Sequence, residues 1–331
     1  MKIAIICSKE KTNDIFTQKT LDRLSQFGEL AINEGEATME NIKATVKDAD
    51  IAITSWGSLP MSEEILNECP NLKLHMHGAG SVKPYVTDAL WERGVKVCAS
   101  TKPLGIGVAE TALGFTIAAC KNFFAINEDI HNGGYLRENI TELYEITVGV
   151  VSAGYVGRHY IKLLQNFGVN VLLYDPFVTE ERAKEMGCTK AELDELLKNS
   201  DVVSLHSPSI PETDHMINAE TLKLMKKDAI LINTARGTLI DETALYNHMV
   251  AGNLKYACID VYDPEPPLAD NPLRSLKNVI MTSHLAGLVQ NGLLRIGAHC
   301  ADEIERFING QPMECAVTED MISKMTGKKA Q

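Results

Sequence analysis

Positive charge, long apolar runs and paired cysteines are all scarce in this chain, and each shortage excludes something. Lys and Arg number 32 against 44 Asp and Glu, for a net charge of −12. No basic run exceeds a lysine pair, at Lys226–Lys227 and Lys328–Lys329. Duplex binding needs a basic face that displaces counterions, so no nucleic-acid partner is expected. No apolar run approaches the roughly 18 residues of a membrane span, and Met1 is not followed by a charged-then-apolar leader. A soluble cytoplasmic protein without a membrane partner is therefore expected. The eight cysteines, at 7, 69, 98, 120, 188, 258, 300 and 315, form no CxxC pair. Several sit in apolar runs such as "IAIICS" and "YACIDV", as buried free thiols of a reducing compartment do. A catalytic thiol is the lesser reading.

What is present is alternation. The 331 residues, 45% of them hydrophobic, suffice for one large core or two ordinary ones, and two domains are favoured. Short apolar strands recur: "KIAIICS", "DIAITS", "LKLHMH", "VKVCA", "ITVGVVS", "NVLLYD", "DVVSLH", "AILINT", "YACIDV" and "NVIMTSH". Helical patterns separate them, over 14–27, 62–68, 85–93, 108–124, 156–167, 180–186, 191–198 and 242–251. Apolar strands alternating with helices mean parallel sheets covered on both faces. There are too many strands for one ordinary sheet, so the fold class is α/β with two doubly wound parallel sheets. Helix 108–124 is apolar almost all round, which predicts burial between domains or subunits. A late helix ends at Gly310 and is long enough to return to the first domain.

The stretch "VGVVSAGYVG" carries the first chemistry. A strand ends at Ser152, and Gly154 and Gly157 follow at the spacing of a dinucleotide-binding turn. Gly154 lets the backbone approach a pyrophosphate, and Gly157 lets the next helix pack close to the sheet. That helix would point its free N–H groups at the phosphates. Asp175 ends the next strand, 18 residues after Gly157, near the offset of an acid that holds ribose hydroxyls. A carboxylate there repels a 2′-phosphate, so NAD is favoured over NADP. The competing reading is an ordinary tight turn with Asp175 as a strand-end cap. Ser152 stands where the turn wants its first glycine. A serine fits if its φ stays negative, and cofactor binding is expected to survive, somewhat weakened.

Three more strands end in polar residues: Arg236 after "AILINTA", Glu265 past "YACIDV", and His284 after "NVIMTS". In open α/β sheets ligands bind at that edge. An arginine fork can bind a carboxylate and polarise a carbonyl. A histidine can move a proton while hydride moves. A carboxylate behind it fixes the imidazole and favours its protonated form. Taken singly, each of the three reads more readily as a capping or solvated residue.

Together, "SAGYVG", "VVSLHSPSIPETDHMIN", "LINTARGTLIDE", "DVYDPEPP" and "SHLAG" make the chain similar to the D-isomer-specific 2-hydroxyacid dehydrogenases, the family of phosphoglycerate, glycerate and D-lactate dehydrogenases. The resemblance runs from the "HGAG" turn to the C-terminal helix. It implies two Rossmann-like domains with a cleft between them: a discontinuous substrate-binding domain, 1–102 plus 287–331, and an NAD-binding domain, 103–286. It implies NAD as cofactor, a small 2-hydroxy or 2-keto acid as substrate, and a homodimer through the NAD-binding domain. The catalytic trio falls on Arg236, Glu265 and His284. Cofactor contacts fall on Gly154, Tyr155, Val156, Gly157 and Asp175, on His206 and Pro208, and on Thr234, Ala235 and Asp260 at the nicotinamide side. Ala79, Gly80 and Ser81, with Arg236, fall where the substrate carboxylate is gripped.

The chain departs from the family pattern at Ser152, at Ser283 in place of a proline before the histidine, and in "KPLGIGVAE". It shows no counterpart of the regulatory extension of the longer phosphoglycerate enzymes. Several other residues have two readings. His75 and His77 share one strand face, but no third ligand motif accompanies them, and no metal is expected. His77 and Trp56 line the substrate pocket or simply pack. Lys83 or Lys102 attracts a second anionic group or is a surface lysine. An alternative from another class is an NAD(H)-sensing, corepressor-like protein with little turnover. A relative acting on formate or phosphite fits Glu265 beside His284 less well.

Overall fold

In the computed structural model, residues 1–287, 290–325 and 330 are described. The pair Lys328–Lys329 and the first residues of the stretch after Gly287 lie outside them. The chain divides into two compact units, Met1–Leu104 with Leu288–Gln331, and Gly105–Gly287.

The first half of the chain runs β1 (Lys2–Ile5), α1 (Lys9–Ile15), α2 (Gln18–Ser25), β2 (Glu29–Ile32), α3 (Met39–Val46), β3 (Ile51–Thr54), α4 (Glu63–Glu68), β4 (Leu74–His77), α5 (Asp88–Glu92), β5 (Lys96–Ala99), α6 (Thr101–Cys120) and α7 (Phe123–His131). It continues β6 (Thr147–Val151), α8 (Tyr155–Leu164), β7 (Asn170–Tyr174), α9 (Glu180–Glu185), β8 (Thr189–Lys190), α10 (Leu193–Asn199), β9 (Val202–Leu205), α11 (Ala219–Leu222), β10 (Ala229–Asn233), α12 (Glu242–Val250), β11 (Leu254–Ile259), β12 (Val279–Met281), α13 (Gln290–Ile308) and β13 (Ala316–Val317).

The first unit holds a six-stranded sheet in the order β13-β5-β4-β3-β1-β2, parallel except for β13. Period-two alternation sends Ile3, Ile5, Ile51 and Ile53 to one core and Ala4, Ile6 and Ala52 to the other. Helix α13 packs on the first of these cores, and Gly297 allows it: a Cβ there would lie 2.2 Å from the Ile15 carbonyl oxygen.

The second unit holds seven parallel strands in the order β12-β11-β10-β9-β6-β7-β8. The chain winds outward from β6 in one direction, then returns to β9 and winds the other way. The strand order therefore reverses between β6 and β9, where open α/β sheets bind ligands. Cores lie on both faces. Val148, Val150, Ile230 and Ile232 point to one, and Val151, Leu205, Leu231 and Ile259 to the other.

All ten expected strands form, and the two-sheet α/β class is observed. Several helix expectations change. Helix 14–27 is two helices, because Thr17 starts a new one by accepting from Thr20 N at 3.2 Å. Helix 108–124 extends back to Thr101 and breaks at Asn122, whose φ of +57° is a conformation asparagine tolerates. The expectation that nothing approaches a membrane span also needs correction: α6 is long and apolar enough by length and composition. It nevertheless contains Glu110, and Ala109, Ala112, Ala119 and Cys120 are packed into the second unit's core.

Candidate active site

Register builds the site. Val151, Tyr174, Leu205, Asn233, Ile259 and Met281 are aligned through successive strand pairs. The next residue on each strand is Ser152, Asp175, His206, Thr234, Asp260 and Thr282. Six polar residues thus form one row at the carboxyl edge of the second sheet.

At the centre of the row lies the glycine turn. Gly154 caps α8 without a side-chain bond, and nothing stands within 4 Å of where its Cβ would be. Gly157 has no such room: a Cβ would lie 2.0 Å from the Ser152 carbonyl oxygen. The turn therefore pairs an open face over uncapped helix N–H groups with a glycine that closes the helix onto the strand, which suits a pyrophosphate. Tyr155 is exposed and Val156 half-buried beside it. His206 packs along Gly157, with its Cβ 3.7 Å from the position a Cβ at 157 would take. Its Nε2 is 3.0 Å from Ser204 Oγ, and burial pushes its pKa down to about 3, so it is a neutral imidazole. Pro208 follows, its carbonyl accepting from Thr213 Oγ1 at 2.6 Å. The buried Thr234 hydroxyl has no protein partner, leaving a polar group for a ligand on the far side of His206. On these observations the row fits a dinucleotide.

Ser152 departs from expectation. Its φ is +78°, not negative, so the serine occupies the left-handed region that glycine takes freely. Its hydroxyl donates to Asp175 Oδ2 at 3.4 Å. Asp175, 7% exposed, also accepts from Ala153 N and Phe177 N, each at 2.8 Å.

The expected trio lies further along the same edge, all within the second unit. Arg236 follows a turn held by buried Asn233, whose Oδ1 accepts from Ala235 N at 3.0 Å and whose Nδ2 donates to Arg236 O at 2.9 Å. Its guanidinium donates to the Ala235 carbonyl. Burial lowers its pKa, and the Glu265 carboxylate opposes that shift, so the two charges sense each other. Glu265 Oε1 is hydrogen-bonded to His284 Nδ1. Both side chains are accessible, at 36% and 41%. Because Glu265 accepts at Nδ1, the imidazole is left with Nε2 as its outward atom.

His284 itself has a φ of +53°. Its loop hangs on Asp260, expected at the nicotinamide side. The fully buried Asp260 carboxylate accepts from Thr282 Oγ1 at 2.5 Å and from Leu285 N and Ala286 N at 3.0 Å each. Tyr262 adds a second tie, its hydroxyl 2.6 Å from the Thr282 carbonyl. Asn233, Tyr262 and Thr282 escaped sequence reading. The signal available for them was a polar side chain at the end of an apolar strand.

In the first unit, Ala79, Gly80 and Ser81 form the turn after β4. Ala79 is buried, its amide donating to His77 O at 2.8 Å and its carbonyl accepting from Ser100 N at 2.9 Å. His75 and His77 are fully buried and share the Thr54 hydroxyl, at 2.7 and 2.9 Å. His77 stacks on Tyr85 at 4.3 Å between centroids. Trp56 packs against the core of the α13 side. Lys83 donates to the Met325 carbonyl at 2.8 Å, and Lys102 pairs with Glu314 at 2.5 Å. His299, Glu303 and Glu314 bring three donor atoms within 4.8 Å of one another. Arg306 already bridges those two carboxylates.

Residues 113–286 match the family model described as "D-isomer specific 2-hydroxyacid dehydrogenase, NAD binding domain". Over 297 residues the chain is 33% identical to D-3-phosphoglycerate dehydrogenase of Methanocaldococcus jannaschii, covering 89% of this chain but 56% of that protein. It thus spans little more than half the length of such curated relatives. It is 30% identical to hydroxypyruvate reductase of Blautia hydrogenotrophica, covering 83% of this chain and 87% of that one. The structure of D-2-hydroxyisocaproate dehydrogenase superposes with a TM-score of 0.80 at 25% identity, over 96% of this chain and 100% of that one. With a family model over more than half its length and a relative 30% identical over 83% of it, the chain belongs to the D-isomer-specific 2-hydroxyacid dehydrogenase family, and its residues 113–286 are the NAD-binding domain.

Proposed function

We propose that the chain interconverts a small 2-hydroxy acid and its 2-keto acid with NAD. The observation that carries this reading is the Glu265–His284 pair, with Arg236 in electrostatic reach of Glu265, on the same sheet edge as the glycine turn. NAD, when bound, supplies or accepts the hydride. Gly154, Tyr155, Val156 and Gly157 hold its pyrophosphate, Asp175 its adenosine ribose, and His206, Pro208, Thr234, Ala235 and Asp260 its nicotinamide half. Arg236 binds the substrate carboxylate and draws electron density from the keto oxygen. His284 delivers a proton from Nε2 to that oxygen during reduction, and removes it during oxidation. Glu265 holds Nδ1, so that the outward nitrogen is the one that exchanges the proton. In the first unit, the turn Ala79–Gly80–Ser81 is the part of the chain we assign to substrate binding, with the Ala79 amide already engaged by the His77 carbonyl.

The substrate we propose is unphosphorylated. The two lysines that the sequence offered for a second anionic group are already engaged, Lys83 by a carbonyl and Lys102 by Glu314, which supports a substrate with one anionic group. Steady-state assays with NADH test both statements: turnover of hydroxypyruvate or another small 2-keto acid above that of 3-phosphohydroxypyruvate is the expected result. NADH binding without turnover of any such acid sinks the enzymatic reading in favour of a sensor.

A homodimer through the second unit is part of the same proposal. Helix α7 has no buried residue, and Phe123, Ile130, Tyr135, Ile140 and Tyr144 are exposed on and after it. Such apolar exposure favours a covering partner, and sedimentation equilibrium reads the mass directly. Eight buried free cysteines support a reducing, cytoplasmic setting.

A further inference from the structure

A carboxylate has about four lone-pair positions. In Asp175 three are taken: Oδ2 accepts from Ser152 Oγ and Ala153 N, and Oδ1 from Phe177 N. One position remains, whereas an adenosine ribose presents two hydroxyls. The two backbone amides are fixed by the chain and sit at 2.8 Å. The serine hydroxyl sits at 3.4 Å and can rotate about a single bond. It is the donor that yields.

We propose that Ser152 is a specificity-determining residue that sets the affinity for the cofactor's adenosine half, because its hydroxyl occupies the Asp175 lone pair that the ribose needs. This rests on the reading of Asp175 as the ribose acid. Binding exchanges the Ser152 bond for a ribose bond, so part of the ribose contribution is cancelled. A glycine there carries no such competitor. The left-handed backbone of Ser152 is a separate matter. If φ is the same with and without ligand, its strain lowers the stability of the fold and leaves affinity alone.

These two effects come apart in two variants. Ser152→Ala removes the hydroxyl and keeps the Cβ and the strain. Ser152→Gly removes all three. Calorimetric titration of the full chain with ADP and with 2′,3′-dideoxy-ADP reads the adenosine half alone. Both variants are expected to bind ADP about fivefold more tightly than the wild type, the worth of one modest hydrogen bond. Neither is expected to gain for the dideoxy nucleotide, which has no ribose hydroxyl to place. Ser152→Gly alone is expected to raise Tm. Weaker or unchanged ADP binding by Ser152→Ala, in a protein that does bind ADP, overturns the proposal and makes the serine a ligand or a bystander. An equal gain for both nucleotides overturns it in favour of crowding. If the wild type and both variants bind neither ADP nor NADH, the cofactor reading itself falls and this proposal with it.

Discussion

Replacing Gly237 by alanine would set a carbon 2.0 Å from both the carbonyl carbon and oxygen of Tyr262, and 2.6 Å from the Asp263 amide nitrogen. Real Cβ contacts stop near 3.0 Å, and all three atoms belong to the backbone, so no rotamer change relieves the clash. The turn carrying Arg236 must move about 1 Å from the segment leading to Glu265. Overpacking of this kind costs about 1–3 kcal/mol, which lowers Tm by about 2–4 °C per kcal/mol in a unit of this size. The functional loss should be larger. A misplacement of about 1 Å between reacting groups can cost about 10²-fold in rate, and here it separates the proposed substrate-binding arginine from the group that orients His284. NADH affinity should change little, because the glycine turn sits on β6, two strands away from β10. The assay is kcat/KM for 2-keto acid reduction, alongside NADH titration and a thermal melt. A variant within threefold of wild-type kcat/KM, with an unchanged Tm, would refute the claim that this contact holds the two halves of the site in register.

Arg236→Lys keeps the charge but loses the planar fork, so kcat/KM should fall steeply with NADH binding intact; a loss under threefold would show that the fork is unused. His284→Ala should cost about 10²–10⁴-fold in rate, again without loss of NADH binding. Asp175→Asn keeps an acceptor for the turn amides but removes the charge that repels a 2′-phosphate, so the ratio of NADH to NADPH efficiency should shrink; equal efficiencies in the wild type would contradict the assignment. Acid should destabilise the fold through His75 and His206, both held to a pKa of about 3 by burial. Unfolded, each takes a proton near pH 6.5, so their stabilisation is complete above that pH and is lost as pH falls toward 3. Each should cost about 2 kcal/mol at pH 5, and a urea-unfolding free energy that is flat from pH 7 to 5 would show that these imidazoles are not buried neutral.

Much of the fold was legible because both sheets are built from strands buried on both faces, which read as apolar runs. What escaped was short or paired by context. Strands β8 and β13 have two residues each, too few for any period to show. Strand β2 contains no fully buried residue, so its "ELAI" carries little pattern. Helix α3 was missed although Thr38 caps it through Asn41 N, because "MENIKATV" places only Ile42 and Val46 in the core. The break at Asn122 depends on a left-handed residue that composition does not announce. The site was legible as a set of strand ends, since the residue after each apolar run is polar. The direction of φ at Ser152 was not legible. A serine disfavours a positive φ, so the residue type pointed to the negative sign, and it is the fold that holds the positive one, with Asp175 accepting from the Ser152 hydroxyl and the Ala153 amide.

That last point extends across the ligand edge. Among the described residues, two non-glycine positions in the row or within two residues of it have positive φ, Ser152 and His284. Each conformation costs of order 1–3 kcal/mol on its own. Each is held by a buried aspartate at a strand end: Asp175 takes the Ala153 amide after Ser152, and Asp260 takes the Leu285 and Ala286 amides after His284. In both loops the backbone N–H groups that a left-handed residue turns inward, away from water, are met by a carboxylate. The polar row therefore does two kinds of work with one residue type. Its aspartates fix the backbone, and the residues they fix, Ser152 and His284, belong to the site proposed for cofactor and substrate. On this account Asp260→Asn should disturb His284 through the loop before it disturbs the cofactor, because an amide replaces one of two accepting oxygens by a donor facing the Thr282 hydroxyl or a loop N–H.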